Sequence, residues 1–273
     1  MSNCSSCPSH GSCNKSESSC QIELNTHGSI KKIIGVMSGK GGVGKSTMSV
    51  LLAKTLASQG HKVGIMDADI TGPSIPRLLH IKEANVRTEG ELIYPVETEE
   101  GIRVMSVNLL MEDENQPVIW RGPVIAGAVK QFYQDVVWGD LDYLVIDMPP
   151  GTGDVALTTM QSIPMTGVVM ISTPQDMVSM IVSKAINMTR KMNVPIIGVI
   201  ENMSYILCPD CSKKIRMFNQ EGMDQFFKEM DVELLGELPM TQTVGNLSME
   251  KTTQYEEEVQ KVLDYTTNKI NQL

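Results

Sequence analysis

The run from Ser38 to Thr47 reads SGKGGVGKST and holds the densest chemistry in this 273-residue chain. Gly39, Gly41, Gly42 and Gly44 allow tight turns that aim successive backbone N–H groups, that of Val43 among them, into one concave cradle. A helix opening at Lys45 adds the positive end of its dipole to that cradle. Lys45 brings a cation to the β- and γ-phosphates of a nucleotide, the Ser46 hydroxyl is placed to ligate magnesium, and Thr47 follows. A glycine-rich turn beside a surface lysine accounts for the glycines. It does not account for a full GxxxxGKS between one apolar strand and one helix.

Two acidic stretches fall where such a loop needs them. GIMDADITGPS places Asp67 and Asp69 at the mouth of a sheet, where open α/β folds bind ligands. In YLVIDMPPGTGD, Asp147 follows four strand residues and suits the carboxylate that holds magnesium, while the glycines after it can move as a switch. One aspartate at a strand end is more often a turn or cap residue; three converging on one phosphate loop point to catalysis. Asn202, in VIENMS, carries the donor and acceptor suited to an adenine edge. It equally suits a chain turn at a strand end.

Cys208 and Cys211 form CPDC, a spacing at which two thiolates chelate one metal. Two thiolates are half of a tetrahedral sulfur site. A symmetric dimer giving one pair per subunit completes it, with zinc or an iron-sulfur cluster as occupant. The alternative is a reduced surface pair or a redox motif, but a redox CxxC opens a helix early in a small fold of its own. Cys4, Cys7, Cys13 and Cys20 supply four more thiolates in one short segment, enough for a second cluster or, with His10, for a zinc site.

Elements that position these residues can be read from the periodicity. Short apolar runs at Ile33 to Met37, Val63 to Asp67, Ile102 to Val107, Tyr143 to Asp147, Gly167 to Ile171, Ile196 to Glu201 and Leu234 to Leu238 are expected strands. Between them Lys45 to Ser58, Val124 to Val137, Met177 to Lys191, Met223 to Met230 and Glu256 to Ile270 have helical length and spacing. The alternation predicts an α/β chain with a mostly parallel central sheet flanked by helices. Thr71 to Asn115 reads as an excursion carrying a hairpin, with Gly90 and Gly101 as turn residues. The twenty methionines, Met180, Met188 and Met192 among them, are expected as flexible core filling.

Residues 1–29 are too polar to pack a core and are expected as a cysteine-rich tail, leaving 30–273 as one domain. A formal net charge of −9 disfavours a broad grip on nucleic acid or an anionic membrane. No apolar run approaches a membrane span and no signal-peptide core is visible, so the expected location is the cytoplasm, where cysteines serve metals more often than disulfides.

With these motifs in place, the chain resembles the deviant Walker A ATPases, whose phosphate loop has the form KGGVGKS and an extra lysine, here Lys40. The succession SGKGGVGKST, DADITGPSIP, VIWRGP, DYLVIDMPPGTGD, STPQDM, GVIENMS and CPDC is similar to that of the Mrp, ApbC and Nbp family of iron-sulfur carrier ATPases, over roughly residues 30–250. The resemblance implies a three-layer P-loop NTPase fold and slow hydrolysis of ATP with Mg2+. It implies that Lys40 reaches the partner subunit's nucleotide, that Asp69 orients the attacking water with Asp67 assisting the magnesium and switch, and that Asn202 contacts adenine. The order of the two aspartate roles stays open. It further implies a homodimer that holds a labile 4Fe-4S cluster between Cys208 and Cys211 of both subunits and passes it to apoproteins, with cluster scaffold proteins as further partners. Two readings from other classes share the phosphate loop: a positioning switch of the septum-site and plasmid-partition kind, and a reductase like the nitrogenase iron protein. The first needs a basic amphipathic tail, and the C-terminal TTQYEEEVQKVLDYTTNKINQL is acidic at its start.

Overall fold

A computed structural model describes residues 24–81, 86–90, 92–111, 120, 122–174, 176–218, 222–249 and 254–273. In chain order the strands are β1 (Ile30–Ser38), β2 (Val63–Asp67), the short β3 (Thr88–Glu89), β4 (Leu92–Ile93) and β5 (Val96–Glu97), then β6 (Arg103–Met105) and β7 (Leu141–Asp147). They continue as β8 (Gly167–Ser172), β9 (Ile196–Leu207), β10 (Lys214–Ile215) and β11 (Leu234–Pro239). The helices are α1 (Lys45–Ser58), α2 (Ile75–Leu78), α3 (Gly122–Gln134), α4 (Asp154–Ser162), α5 (Asp176–Lys191), α6 (Met223–Glu229), α7 (Gln242–Gly245) and α8 (Glu257–Asn271).

The main sheet runs β9-β8-β1-β7-β2-β6 in parallel, with β11 parallel to β9 and with β5 and β10 antiparallel at its margins. Its strands are apolar on both sides because both sides are covered. On one face Ile33 and Met37 of β1 and Leu144 and Ile146 of β7 pack with residues of α3, α4, α5 and α6. On the other, Ile34 and Val36 of β1 and Tyr143 and Val145 of β7 pack with α1 and α8. Helix α1 is sandwiched between the sheet and α8, which explains why Met48 to Ala53 are all buried in place of a single apolar stripe. The result is three layers, helix on sheet on helix.

The expected strands and helices all form, β2 and α1 with the expected ends and the others with shifted ones. Strand β9 is the largest shift: it continues six residues beyond Glu201 to Leu207, carrying the chain to Cys208. The expected strand at Ile102 to Val107 is shorter, because Val107–Leu110 turns into a 3-10 helix. Helix α4 lies outside the expected elements, because its nine residues follow the glycines of PPGTGD directly and span too few turns to show a clear apolar period. The Thr71 excursion does carry a hairpin, β3-β4, with Gly90 at φ +63°, and Gly101 at φ +78° closes the β5-β6 turn. Met188 is buried as core filling, whereas Met180 is 55% exposed. Among the described residues no helix is long and apolar enough to cross a membrane.

Candidate functional site: a phosphate loop and a cysteine hairpin

Three adjacent parallel strands, β1, β7 and β2, end at one place. Their register sets Val36 opposite Asp147 and Asp147 opposite Asp67, so residues 80 apart in sequence become sheet neighbours. The chain leaves β1 at Ser38 and forms the loop, in which Gly42 (φ +79°) and Gly44 (φ +85°) hold left-handed backbone that a side chain resists. Gly44 caps α1, and its carbonyl accepts the first helical bond from Met48. Behind the loop, Gly39 packs so tightly that a Cβ there would lie 2.3 Å from Ile181 Cγ2.

Lys45 opens α1 and is buried, its Nζ 2.8 Å from Asp147 Oδ1 and 3.7 Å from Asp69 Oδ2. Ser46 donates to Asp147 Oδ2 at 2.6 Å, and Ser49, one turn along α1, donates to Asp147 Oδ1 at 2.7 Å. Asp67 is fully buried and accepts from the Asp69, Ser74 and Ile75 N–H groups and from the Ser106 hydroxyl. Burial, reinforced by the charge of Asp147 and opposed by Lys45, pushes the Asp67 carboxyl up to about 8. Burial also raises Asp69, with Lys45 pulling the other way. A cavity of about 380 Å³ opens over these groups, lined by Gly41, Gly42, Lys45, Ser46, Thr47 and Asp69. Arg77, exposed on α2, lines it too, as does Ser248 beyond α7.

The residues present fit a magnesium-nucleotide. The cradle is concave, its lysine lies among the carboxylates, and the hydroxyl of Ser46 and the carboxylate of Asp147 converge as oxygen ligands of the hard kind magnesium takes. Val43 contributes differently: it is buried, and its carbonyl accepts from Asn202 Nδ2 at 2.9 Å. Asn202 Oδ1 accepts from the Met203 N–H, so this amide is anchored between the loop and its own strand. Arg77, Ser49, Ser106 and Ser248 were not singled out from the sequence. Arg77 had a signal, an arginine ten residues after Asp67 at the end of DADITGPSIPR; the serines had none.

The second site starts where β9 ends. Cys208 and Cys211 sit in the tight connection to β10: the Cys208 N–H donates to the Lys213 carbonyl, and the Ser212 N–H to the Cys208 carbonyl. The N–H groups of Asp210 and Cys211, with the Cys211 thiol beside them, lower the pKa of Cys208 and favour the thiolate that binds metal. Both cysteines are free and accessible. Among the described residues no group of three or more His, Cys, Asp or Glu is gathered as a metal site. Cys4, Cys7, Cys13, Cys20 and His10 lie outside the described residues.

A family model described as ParA, NUBPL iron-transfer P-loop NTPase, matches residues 29–272. The chain belongs to this family. A Clostridium perfringens relative named iron-sulfur cluster carrier protein is 49% identical over 254 residues, covering 88% of this chain and 89% of that one. One of the same name from Methanocaldococcus jannaschii is 46% identical over 243 residues, covering 87% and 83%. Among solved structures, the nucleotide-binding protein of Archaeoglobus fulgidus in complex with ADP is 39% identical, with a TM-score of 0.70 over 86% of this chain and 89% of that one. The septum site-determining protein MinD of Pyrococcus horikoshii with Mg-ADP shares the fold at 20% identity and a TM-score of 0.61, covering 88% and 96%. As an iron-transfer P-loop NTPase, the chain has the three-layer, mostly parallel architecture expected of it.

Proposed function

We propose that this iron-transfer P-loop NTPase binds and hydrolyses Mg-ATP at the loop and carries a labile 4Fe-4S cluster on Cys208 and Cys211, delivering it to apoproteins. The observation that carries the reading is the coexistence of a phosphate site built on Lys45, Ser46 and Asp147 with a thiolate pair at the end of a strand that touches the phosphate loop. The carrier relatives at 49% and 46% identity support it.

In this reading the backbone N–H groups of Gly39 to Gly44 and the Lys45 ammonium bind the phosphates, with Thr47 beside them. Ser46 and Asp147 hold magnesium, which supplies charge neutralisation on the β- and γ-phosphates. Asp69, at the cavity wall, accepts a hydrogen bond from the attacking water and orients it; Asp67 fixes the switch backbone at Asp69, Ser74 and Ile75. Lys40 extends toward the partner's nucleotide, and Arg77 adds positive charge at the phosphate chain, while the Asn202 amide stays bonded to Val43 and Met203. Two thiolates are half a site, so a homodimer shares the cluster, two from each subunit. Cluster scaffold proteins load it, and the N-terminal cysteines hold a second cluster. A cargo held on reduced thiols calls for the cytoplasm. Hydrolysis is slow because switch rearrangement, not chemistry, sets its pace.

The test is Lys45→Ala in the full chain, with cluster transfer to an apo-acceptor measured under Mg-ATP. Transfer is expected to be lost while the reconstituted cluster stays bound; a normal transfer rate contradicts the coupling of nucleotide to cargo.

A further inference from the structure

Strand β9 changes its surroundings at Glu201. Up to that residue it is paired on both sides: Ser172 of β8 faces Glu201, and Glu237 of β11 faces it from the other side. Pairing with β8 stops there. On the β11 side the next partners are Pro239 and Tyr205, so β11 advances two residues while β9 advances four. Asn202, Met203 and Ser204 therefore form a bulge, the device that re-aims side chains beside active sites. Met203 sits at φ +58°, a conformation rare and costly for a residue with a side chain.

The bulge is pinned to the phosphate loop. Asn202 is 3% exposed, and its amide bridges the Val43 carbonyl and the Met203 N–H. The approach is so close that a Cβ on Gly44 would lie 2.4 Å from Asn202 Nδ2. Beyond the bulge Ile206 and Leu207 pair only with β10 among the described residues, and Cys208 follows. One side-chain hydrogen bond thus joins the loop to the bulge, and from Asn202 the backbone runs six residues, at most about 20 Å, to Cys208.

We propose that Asn202 is a positioning residue that transmits the state of the phosphate loop to the Cys208–Cys211 hairpin. Phosphates drawing on the loop N–H groups shift the Val43 peptide. Its carbonyl is bonded to the Asn202 amide, so the bulge shifts with it. The outer half of β9, free of β8, carries the shift to the hairpin and changes the access of the Cys208 thiol. The inference rests on the reading that the loop binds Mg-ATP and the cysteine pair carries the cargo.

The experiment alkylates the reduced, full-length chain with iodoacetamide and follows Cys208 and Cys211 by peptide-resolved mass spectrometry, with and without a non-hydrolysable Mg-ATP analogue. Binding of the analogue is measured in parallel. In the native chain the nucleotide is expected to change the Cys208 rate on the order of fivefold, the lower end of ordinary allosteric coupling. Asn202→Asp, which sets a carboxylate against the Val43 carbonyl, is expected to bind the analogue and lose that change. Met203→Gly, which relieves the left-handed strain and keeps the amide bridge, is expected to fold, bind and show a weakened change. A native-sized change in Asn202→Asp overturns the inference, as does loss of analogue binding in that variant, which would assign the amide to the nucleotide site alone. A native chain that binds the analogue with no change at Cys208 overturns the inference and leaves the proposed function standing. A native chain that binds no analogue removes both.

Discussion

Ser46 and Asp147, 101 residues apart in sequence, are joined by a 2.6 Å hydrogen bond, so the two groups expected to hold magnesium are brought together by the fold itself. Asp147 also anchors the buried Lys45 ammonium and the Ser49 hydroxyl. Asp147→Asn is therefore expected to act twice. Magnesium-dependent hydrolysis falls by roughly a hundredfold or more, as for other charge-stabilising groups. The fold loses roughly 3 to 5 kcal/mol, because Lys45 keeps its charge without its nearest partner. Ser46→Ala is expected to reproduce the first effect with little of the second. Hydrolysis rates across a magnesium titration, with chemical denaturation of each variant, separate the two.

Stability is expected to depend on pH through Asp67. Its carboxyl is raised to about 8 in the folded chain, so between about pH 4 and about pH 8 the folded state binds the proton that the unfolded state has lost. Its contribution is fully present below about pH 4 and is lost as the pH rises through about 8. Asp69, also raised, adds to the same slope. The nucleotide-free chain should show a Tm that falls from mildly acidic to mildly alkaline buffer, and Asp67→Asn should flatten that fall. An equal slope in both proteins would remove Asp67 as its source.

Gly44→Ala tests the geometry of the loop. The position has φ +85°, and the added methyl would meet the Asn202 amide at 2.4 Å. The expected cost is about 1 to 3 kcal/mol, with a loss of nucleotide affinity on the order of tenfold or more. Gly127→Ala, at an exposed position on α3 where a Cβ meets nothing within 4 Å, is the control. Calorimetric titration with Mg-ADP compares them.

Arg77 is exposed and lines the phosphate cavity from α2. Arg77→Gln is expected to leave stability within about 0.5 kcal/mol, as surface changes do. Mg-ATP affinity should fall more than Mg-ADP affinity, by a factor on the order of ten, because the third phosphate carries the added charge. Equal losses for both nucleotides would place Arg77 away from the γ-phosphate.

Much of the site was legible because its determinants are local. GxxxxGKS fixes glycine backbone and lysine within ten residues, and α1 begins and ends at the expected Lys45 and Ser58. Asp67 and Asp147 could be paired in advance because both end apolar strands of one parallel sheet. What escaped was set by packing across the chain. Nothing local shows that Ser49 would face Asp147, that Ser106 would reach Asp67, or that Asn202 would bond Val43, 159 residues away. The extension of β9 was hidden because ENMSYIL breaks the apolar run with buried polar residues, Glu201, Asn202 and Ser204.

Anaerobic reconstitution of the full chain with iron and sulfide decides whether Cys208 and Cys211 carry the cluster. Iron per chain, absorption near 400 nm, in the region of thiolate-to-iron charge transfer, and molecular mass in solution are compared for the native chain and for Cys208→Ala with Cys211→Ala. The double variant is expected to lose the iron and absorption of the shared cluster, keeping at most the share held by the N-terminal cysteines, and to lose the cluster-bridged dimer while still binding Mg-ATP. Iron, absorption and mass equal to those of the native chain would contradict this.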